Sequence, residues 1–127
     1  MSKEKLFTVP QLSKELNITE RAIRFYESKD LIKPSRAGNT RVFDYKDRAR
    51  LLIILRAKKL GFSLKEIKTY LDLYNIDPSH KKQTKNAIEA ITHRLDQLQD
   101  QKKEINFKIK ELKSLKCDIE NSSVKAS

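Results

Sequence analysis

Apolar residues punctuate this chain in two rhythms, a compact one in the first half and a long, narrow one in the second. Thr8-Val9-Pro10-Gln11 opens a helix: Thr8 suits the cap, Pro10 suits the first turn, and Val9, Leu12 and Leu16 share one face. Asn17 breaks that helix. Thr19-Glu20-Arg21-Ala22 opens a second one that runs through about Ser28 with Ile23 inward. Two short helices with a tight connection predict a helix-turn-helix. Leu31-Ile32-Lys33-Pro34 then reads as extended, because the residue before a proline is pushed out of helix. Arg36-Ala37-Gly38-Asn39-Thr40-Arg41 reads as a turn leading into the strand candidate Arg41-Val42-Phe43. The two extended pieces predict a β-hairpin wing.

A third helix is expected from about Asp44–Asp47 to Leu60, with acids at its positive end and Gly61 as its stop. Ser63-Leu64-Lys65-Glu66 is a capping-box pattern for a fourth helix, with Leu64, Ile67 and Leu71 inward. Asn75-Ile76-Asp77-Pro78 reads as a linker. Beyond it, Ile88, Ile91, Leu95, Leu98, Lys102, Ile105, Ile109, Leu112, Lys116 and Ile119 follow one another at alternating steps of three and four. Eight of these ten positions are apolar, which marks a narrow coiled-coil seam rather than a broad core-facing stripe. From Ile88 to Lys116 such a helix is about 42 Å long, too long to pack on one small domain. A second copy of the same chain is the simplest partner for it. Fraying is expected from Ser122 onward.

Charge narrows the function classes. The 127 residues carry 28 Lys+Arg against 17 Asp+Glu, a formal net charge of +11. Arginines gather in the first half, at 21, 24, 36, 41, 48, 50 and 56, whereas the second half has only Arg94 among many lysines. Arg suits bidentate contact with phosphate or guanine, and a lysine-rich helix face suits solvent. A single cysteine, Cys117, excludes a disulfide framework and a multi-thiolate metal site within one chain. Two glycines and two histidines, without paired acids or a nucleophile triad, argue against an enzyme and a bound cofactor. The longest apolar run, Leu51 to Leu55, is far short of a bilayer span, and no signal-type stretch follows Met1. The expectation is a reduced, cytoplasmic protein with a polyanionic partner and no membrane association.

The second helix of a helix-turn-helix enters the major groove, and outward residues near its start reach base edges. Here these are Thr19, Arg21, Ala22, Arg24 and the Phe25-Tyr26 pair, with Arg21 and Arg24 on neighbouring parts of one face. Arg36 and Arg41 flank the wing turn and are expected at the hairpin tip, against backbone or minor groove. Lys58 and Lys59 close the third helix, where they add phosphate contacts or simply favour its negative end.

The run Phe7-Thr8-Val9 … Leu16-Asn17-Ile18-Thr19 … Arg21-Ala22-Ile23-Arg24-Phe25-Tyr26-Glu27 … Leu31-Ile32-Lys33-Pro34 … Arg36 resembles the opening of the MerR family of bacterial transcription regulators. The resemblance continues through Arg41-Val42-Phe43, Asp47, Arg50-Leu51 and Lys59-Leu60-Gly61-Phe62-Ser63-Leu64-Lys65-Glu66-Ile67, and spans about residues 6–75. Two departures stand out: Asp30 replaces a usual Gly, and Gly38-Asn39-Thr40-Arg41 replaces a usual Asn-Gly-Tyr-Arg wing. That wing, with Asp47-Arg48-Ala49-Arg50-Leu51 and Asp72-Leu73-Tyr74, is most similar to the LiuR-type branch, associated with branched-chain amino acid and acyl-CoA breakdown.

The resemblance implies a mainly α fold: a winged helix-turn-helix DNA-binding domain over residues 1–76, then a dimerisation helix and short tail over 77–127. Two such chains would pair as a homodimer through an antiparallel coiled coil. The implied partner is double-stranded promoter DNA at a palindromic site, whose spacer the dimer bends and untwists for RNA polymerase. Position by position, Thr19, Arg21, Arg24 and Tyr26 would read or flank bases, Arg36, Thr40 and Arg41 would form the wing contact, and Lys58 and Lys59 would meet phosphates. Ile88, Ile91, Leu95, Leu98, Ile105, Ile109 and Leu112 would form the seam. Metal-sensing members place cysteines at the start of the dimerisation helix, where this chain has Ser79-His80, so no metal site is expected and a small effector would sit between head and coil or between subunits. The competing expectation is a coiled-coil adaptor that binds protein alone; it leaves the arginine-rich first half without a purpose.

Overall fold

Hydroxyl and carboxylate caps decide where the first four helices of this chain begin, and the computed structural model describes residues 5–76 and 78–126. The Gln11 N–H donates to the Thr8 hydroxyl, and the Gln11 carboxamide accepts from the Thr8 N–H at 2.8 Å. This reciprocal box starts α1 (Val9–Leu16), which ends where Asn17 turns left-handed at φ 55°. Thr19 starts α2 (Glu20–Ser28) by accepting from the Ala22 N–H at 3.0 Å. The end of α2 is a Schellman closure: the Leu31 N–H reaches the Tyr26 carbonyl and the Asp30 N–H reaches the Glu27 carbonyl, both at 3.0 Å. Asp30 takes the left-handed position at φ 60°, where a residue with a Cβ is strained.

The wing is real but begins later than the sequence suggests. Strands β1 (Ser35–Ala37) and β2 (Thr40–Val42) pair antiparallel around a Gly38-Asn39 turn, with Gly38 at φ 64°. Leu31-Ile32-Lys33-Pro34 is not the first strand. Leu31 and Ile32 are buried, because two adjacent apolar side chains leaving α2 gain more from the core than from a solvent-facing hairpin. The base of the wing is held by a two-bond bridge between Phe7 and Phe43, each bond 2.8 Å.

Helix α3 (Tyr45–Lys59) opens on an Asp44–Asp47 capping box and closes through Gly61 at φ 91°, with the Phe62 N–H returning to the Ala57 carbonyl. Helix α4 (Leu64–Ile76) starts on the Ser63–Glu66 box foreseen in the sequence. It extends through Asn75 and Ile76, so these residues are helix rather than linker; Asp77 lies outside the described residues. Helix α5 (Lys81–Ala126) also continues past Ser122, where fraying was expected, since no Gly or Pro interrupts it.

Two compact units result, Met1–Ala87 and Ile88–Ser127. The core of the first gathers one face of each of α1 to α4 and the wing base: Leu12, Ile23, Leu31, Phe43, Leu51 and Ile54 are each without exposed surface. Arg50 clamps the exit of α2 by donating from Nε and Nη2 to the Leu31 carbonyl at 3.2 and 3.1 Å. The start of α5 belongs to this unit, with Gln83 Nε2 donating to the Tyr70 carbonyl at 2.8 Å. The second unit is helix alone.

Two expectations follow for stability. Asp30→Gly relieves a left-handed residue of its Cβ and is expected to stabilise the fold by about 1 kcal/mol, read from urea unfolding. Asp47 titrates above its usual range, first because burial penalises its charge and then because Asp44 lies close; the Asp44 N–H and Arg50 only partly offset this. The folded state therefore holds that proton more tightly than the unfolded chain. The contribution of Asp47 is most favourable below its unfolded pKa and is lost as pH rises through the folded pKa. Asp47→Asn keeps an oxygen for the Asp44 N–H, so it should raise the unfolding midpoint near neutral pH, with the gain vanishing once pH falls below the carboxylate range.

Candidate nucleic-acid interface

The orientation of α2 follows from its two buried anchors. Ile23 has no exposed surface and Tyr26 only 9 %, so residues between and opposite them must face outward. Arg21, Arg24 and Phe25 are exposed on that outer side, Phe25 by 44 %. Arg24 Nη1 lies 3.7 Å from Glu20 Oε1, one turn back, in an exposed pair of little energetic weight. Arg21 has no ion-pair partner among the described residues. A guanidinium on such a face, without a fixed carboxylate partner, is available to a phosphate or a base edge.

Two side chains placed on this face by sequence reasoning are not there. Tyr26 packs in the core, meeting Phe25 edge to face at 5.8 Å between ring centres. Ala22 is half-buried against the same core. The physical reason is the helix repeat: Ala22, Ile23 and Tyr26 fall on one side, and the only deep apolar environment lies there. Phe25 is the aromatic that faces outward, with Lys29 Nζ 5.6 Å from its ring centre. Thr19 is exposed, but its hydroxyl oxygen is already engaged as the cap of α2.

The wing arginines also differ from expectation. Arg36 and Arg41 are cross-strand partners within β1 and β2, not residues of the tip, which is Gly38-Asn39. Both turn toward Glu27 of α2. Arg41 Nε donates to Glu27 Oε1, and Arg36 Nη2 lies 3.6 Å from Glu27 Oε2. Glu27 thus brings the wing to α2, and sequence reading missed this role. The available signal was an acid in the last turn of a helix, where the helix dipole disfavours it. Thr40 is exposed in β2 beside the turn. Lys58 and Lys59 are exposed in the last turn of α3, and no hydrogen bond or ion pair joins them to α2 or the wing among the described residues.

The second unit presents a different surface. Ile88, Ile91, Leu95, Leu98, Ile105, Ile109 and Leu112 are between 41 % and 65 % exposed, an apolar seam on a single helix interrupted at Lys102. Cys117 is an exposed free thiol. Among the described residues, no three His, Cys, Asp or Glu side chains are placed to hold a metal ion, and no helix is long and apolar enough to cross a membrane.

Comparison with known proteins agrees with this geometry. A family model described as MerR HTH family regulatory protein matches residues 7–74, and a second, MerR, DNA binding, matches residues 48–116. The HTH-type transcriptional regulator CueR of Vibrio cholerae serotype O1 is 33% identical over 114 residues, covering 88% of this chain and 75% of the relative. Among solved structures, the transcription regulator PbrR691 of Ralstonia metallidurans CH34, in complex with lead(II), superposes with a TM-score of 0.70 at 27% identity over 87% of this chain and 85% of the other. HiNmlR, a MerR family regulator lacking the sensor domain and bound to promoter DNA, shares the fold with a TM-score of 0.57 at 24% identity, over 76% of this chain and 80% of the other. With arginines on the outer face of an anchored second helix, a wing beside it and a long helix after it, the chain belongs to the MerR family of DNA-binding, HTH-type transcriptional regulators.

Proposed function

We propose that this regulator binds a palindromic promoter site as a homodimer and distorts the spacer between the polymerase elements. The observation that carries the proposal is the exposed seam of α5, an apolar strip too long to leave in water. Residues 1–76 act as the DNA-binding domain and residues 77–127 as the dimerisation segment. Ile88, Ile91, Leu95, Leu98, Ile105, Ile109 and Leu112 pair with a second copy.

The seam's lysines favour an antiparallel pairing. Lys102 and Lys116 fall on the same heptad position as Ile88, Leu95 and Ile109. In a parallel, in-register dimer each would face its own twin, placing like charges in the seam. An antiparallel partner instead presents residues of the other seam position, Ile91, Leu98, Ile105, Leu112 and Ile119, which are all apolar. Lysine stems lie along such surfaces while their ammonium groups reach water.

On each head, Arg21 and Arg24 contact base edges or phosphates in the major groove, helped by Thr19. Arg36, Thr40 and Arg41 form the wing contact, and Lys58 and Lys59 meet phosphates. HiNmlR, which shares the fold, is bound to promoter DNA, and that supports a DNA-binding head here. Bending costs of order several kcal/mol, offset by phosphate and wing contacts. RNA polymerase engages the distorted promoter in the cytoplasm. The Gly38-Asn39-Thr40-Arg41 wing supports the LiuR-type branch and control of branched-chain acyl-CoA breakdown. PbrR691 binds lead(II); this chain offers one thiolate, Cys117, where soft metals take several. Any small effector would bind between head and coil or between subunits.

Footprinting the purified protein on the DNA upstream of its own coding region tests the reading: a protected, symmetric site with a long spacer is expected, and the absence of any protected site refutes it. Arg24→Ala should cost about 1–3 kcal/mol of operator binding in gel shifts and leave a folded dimer. Leu98→Lys should give monomers by sedimentation and lose operator binding, because a single head keeps one half-site only.

A further inference from the structure

Glu27 stands where two ordinary rules disfavour a carboxylate. It occupies the last turn of α2, next to exposed carbonyls. It also lies on the helix assigned to the major groove, where an acid repels phosphate. Its side chain is nevertheless the meeting point of both wing arginines. Among the described residues, these are the only side-chain hydrogen bonds or ion pairs that join the wing to α2.

The two arginines are not equivalent. Arg41 makes a directed Nε bond to Oε1 and is 31 % exposed; Arg36 sits 3.6 Å from Oε2 and is 48 % exposed. Glu27 itself is 24 % exposed, so the Arg41 bond is partly sheltered from water and salt while Arg36 is largely not. A hairpin with three residues per strand does not hold its own direction in water. Phe7 and Phe43 fix its base, and Glu27 fixes its body. One carboxylate against two guanidinium groups leaves one positive charge over, carried by the looser arginine.

We infer that Glu27 is a positioning residue for DNA recognition: it ties the wing to the recognition helix through Arg41 and leaves Arg36 as the wing's phosphate-binding cation. The inference rests on the DNA-binding reading above. A wing held at a set distance from α2 meets the duplex with its ordering entropy already spent, which raises affinity for a site of matching geometry. Arg41 is then a tether first and a DNA contact second.

Charge and positioning make opposite forecasts for Glu27→Ala, which suits a helix interior and keeps α2 intact. Removing an acid beside DNA tightens binding if charge alone matters. If Glu27 aims the wing, affinity for a duplex selected by the wild-type protein from a random-sequence pool falls about tenfold, the effect of one badly fitted base pair. Binding to poly(dI-dC) stays level or tightens. Glu27→Gln, which keeps an acceptor for Arg41 Nε, recovers part of the loss. Arg41→Ala reproduces the loss, and the double variant loses no more than either alone. Arg36→Ala lowers the slope of log affinity against log salt by about one phosphate contact, with a weaker effect on selectivity. Unchanged or tighter binding of the selected duplex by Glu27→Ala overturns the inference, as does a loss accompanied by melted helix at the assay temperature. A wild-type protein that selects no duplex overturns the DNA-binding reading along with it.

Discussion

Ile23 and Tyr26 hold α2 by one side, and which of its side chains face outward follows from that grip. Both point into the same apolar cluster as Leu12, Phe43, Leu51 and Ile54. With that side buried, Arg21, Arg24 and Phe25 have nowhere to go but out. The caps do the remaining work: Thr19 sets the first residue of the helix, and the Asp30 closure with the Arg50 clamp on Leu31 sets its last. The rigidity of α2 comes from ordinary burial and satisfied backbone groups.

Charge in the head is distributed less simply than a net value of +11 suggests. Glu20 and Glu27 each stand beside exposed or half-exposed arginines of α2 and the wing, one in a loose exposed pair and the other in a partly sheltered cluster. Arg48 is likewise paired, with Glu15. Arg50 is spent on a carbonyl of the fold. Counting arginines therefore overstates the cations free for phosphate, and only the positions of the carboxylates and carbonyls separate structural arginines from available ones. The same count also hides that one acid, Glu27, holds two of these arginines.

The seam of α5 is the complementary case. The apolar positions from Ile88 to Leu112 are exposed, and their pattern is regular over its whole length. Its two lysines break the apolar repeat at one heptad position only, which penalises some pairings of two helices more than others.

Helix starts, the turn at Gly38-Asn39, the Ser63–Glu66 capping box and the apolar repeat of α5 were all legible in the amino-acid order, because each rests on local chemistry or on a repeat within one element. The family resemblance was legible for the same reason, as a dense run of such local signals. What required the tertiary structure was every choice between two faces: Tyr26 inward and Phe25 outward, Leu31 and Ile32 in the core rather than in a strand, Arg36 and Arg41 turned to Glu27 rather than to the tip. Neighbouring side chains of like character compete for one buried environment or one carboxylate, and that competition is decided by elements distant in sequence, fourteen residues apart for Glu27 and Arg41. Periodicity names the candidates; only packing selects among them.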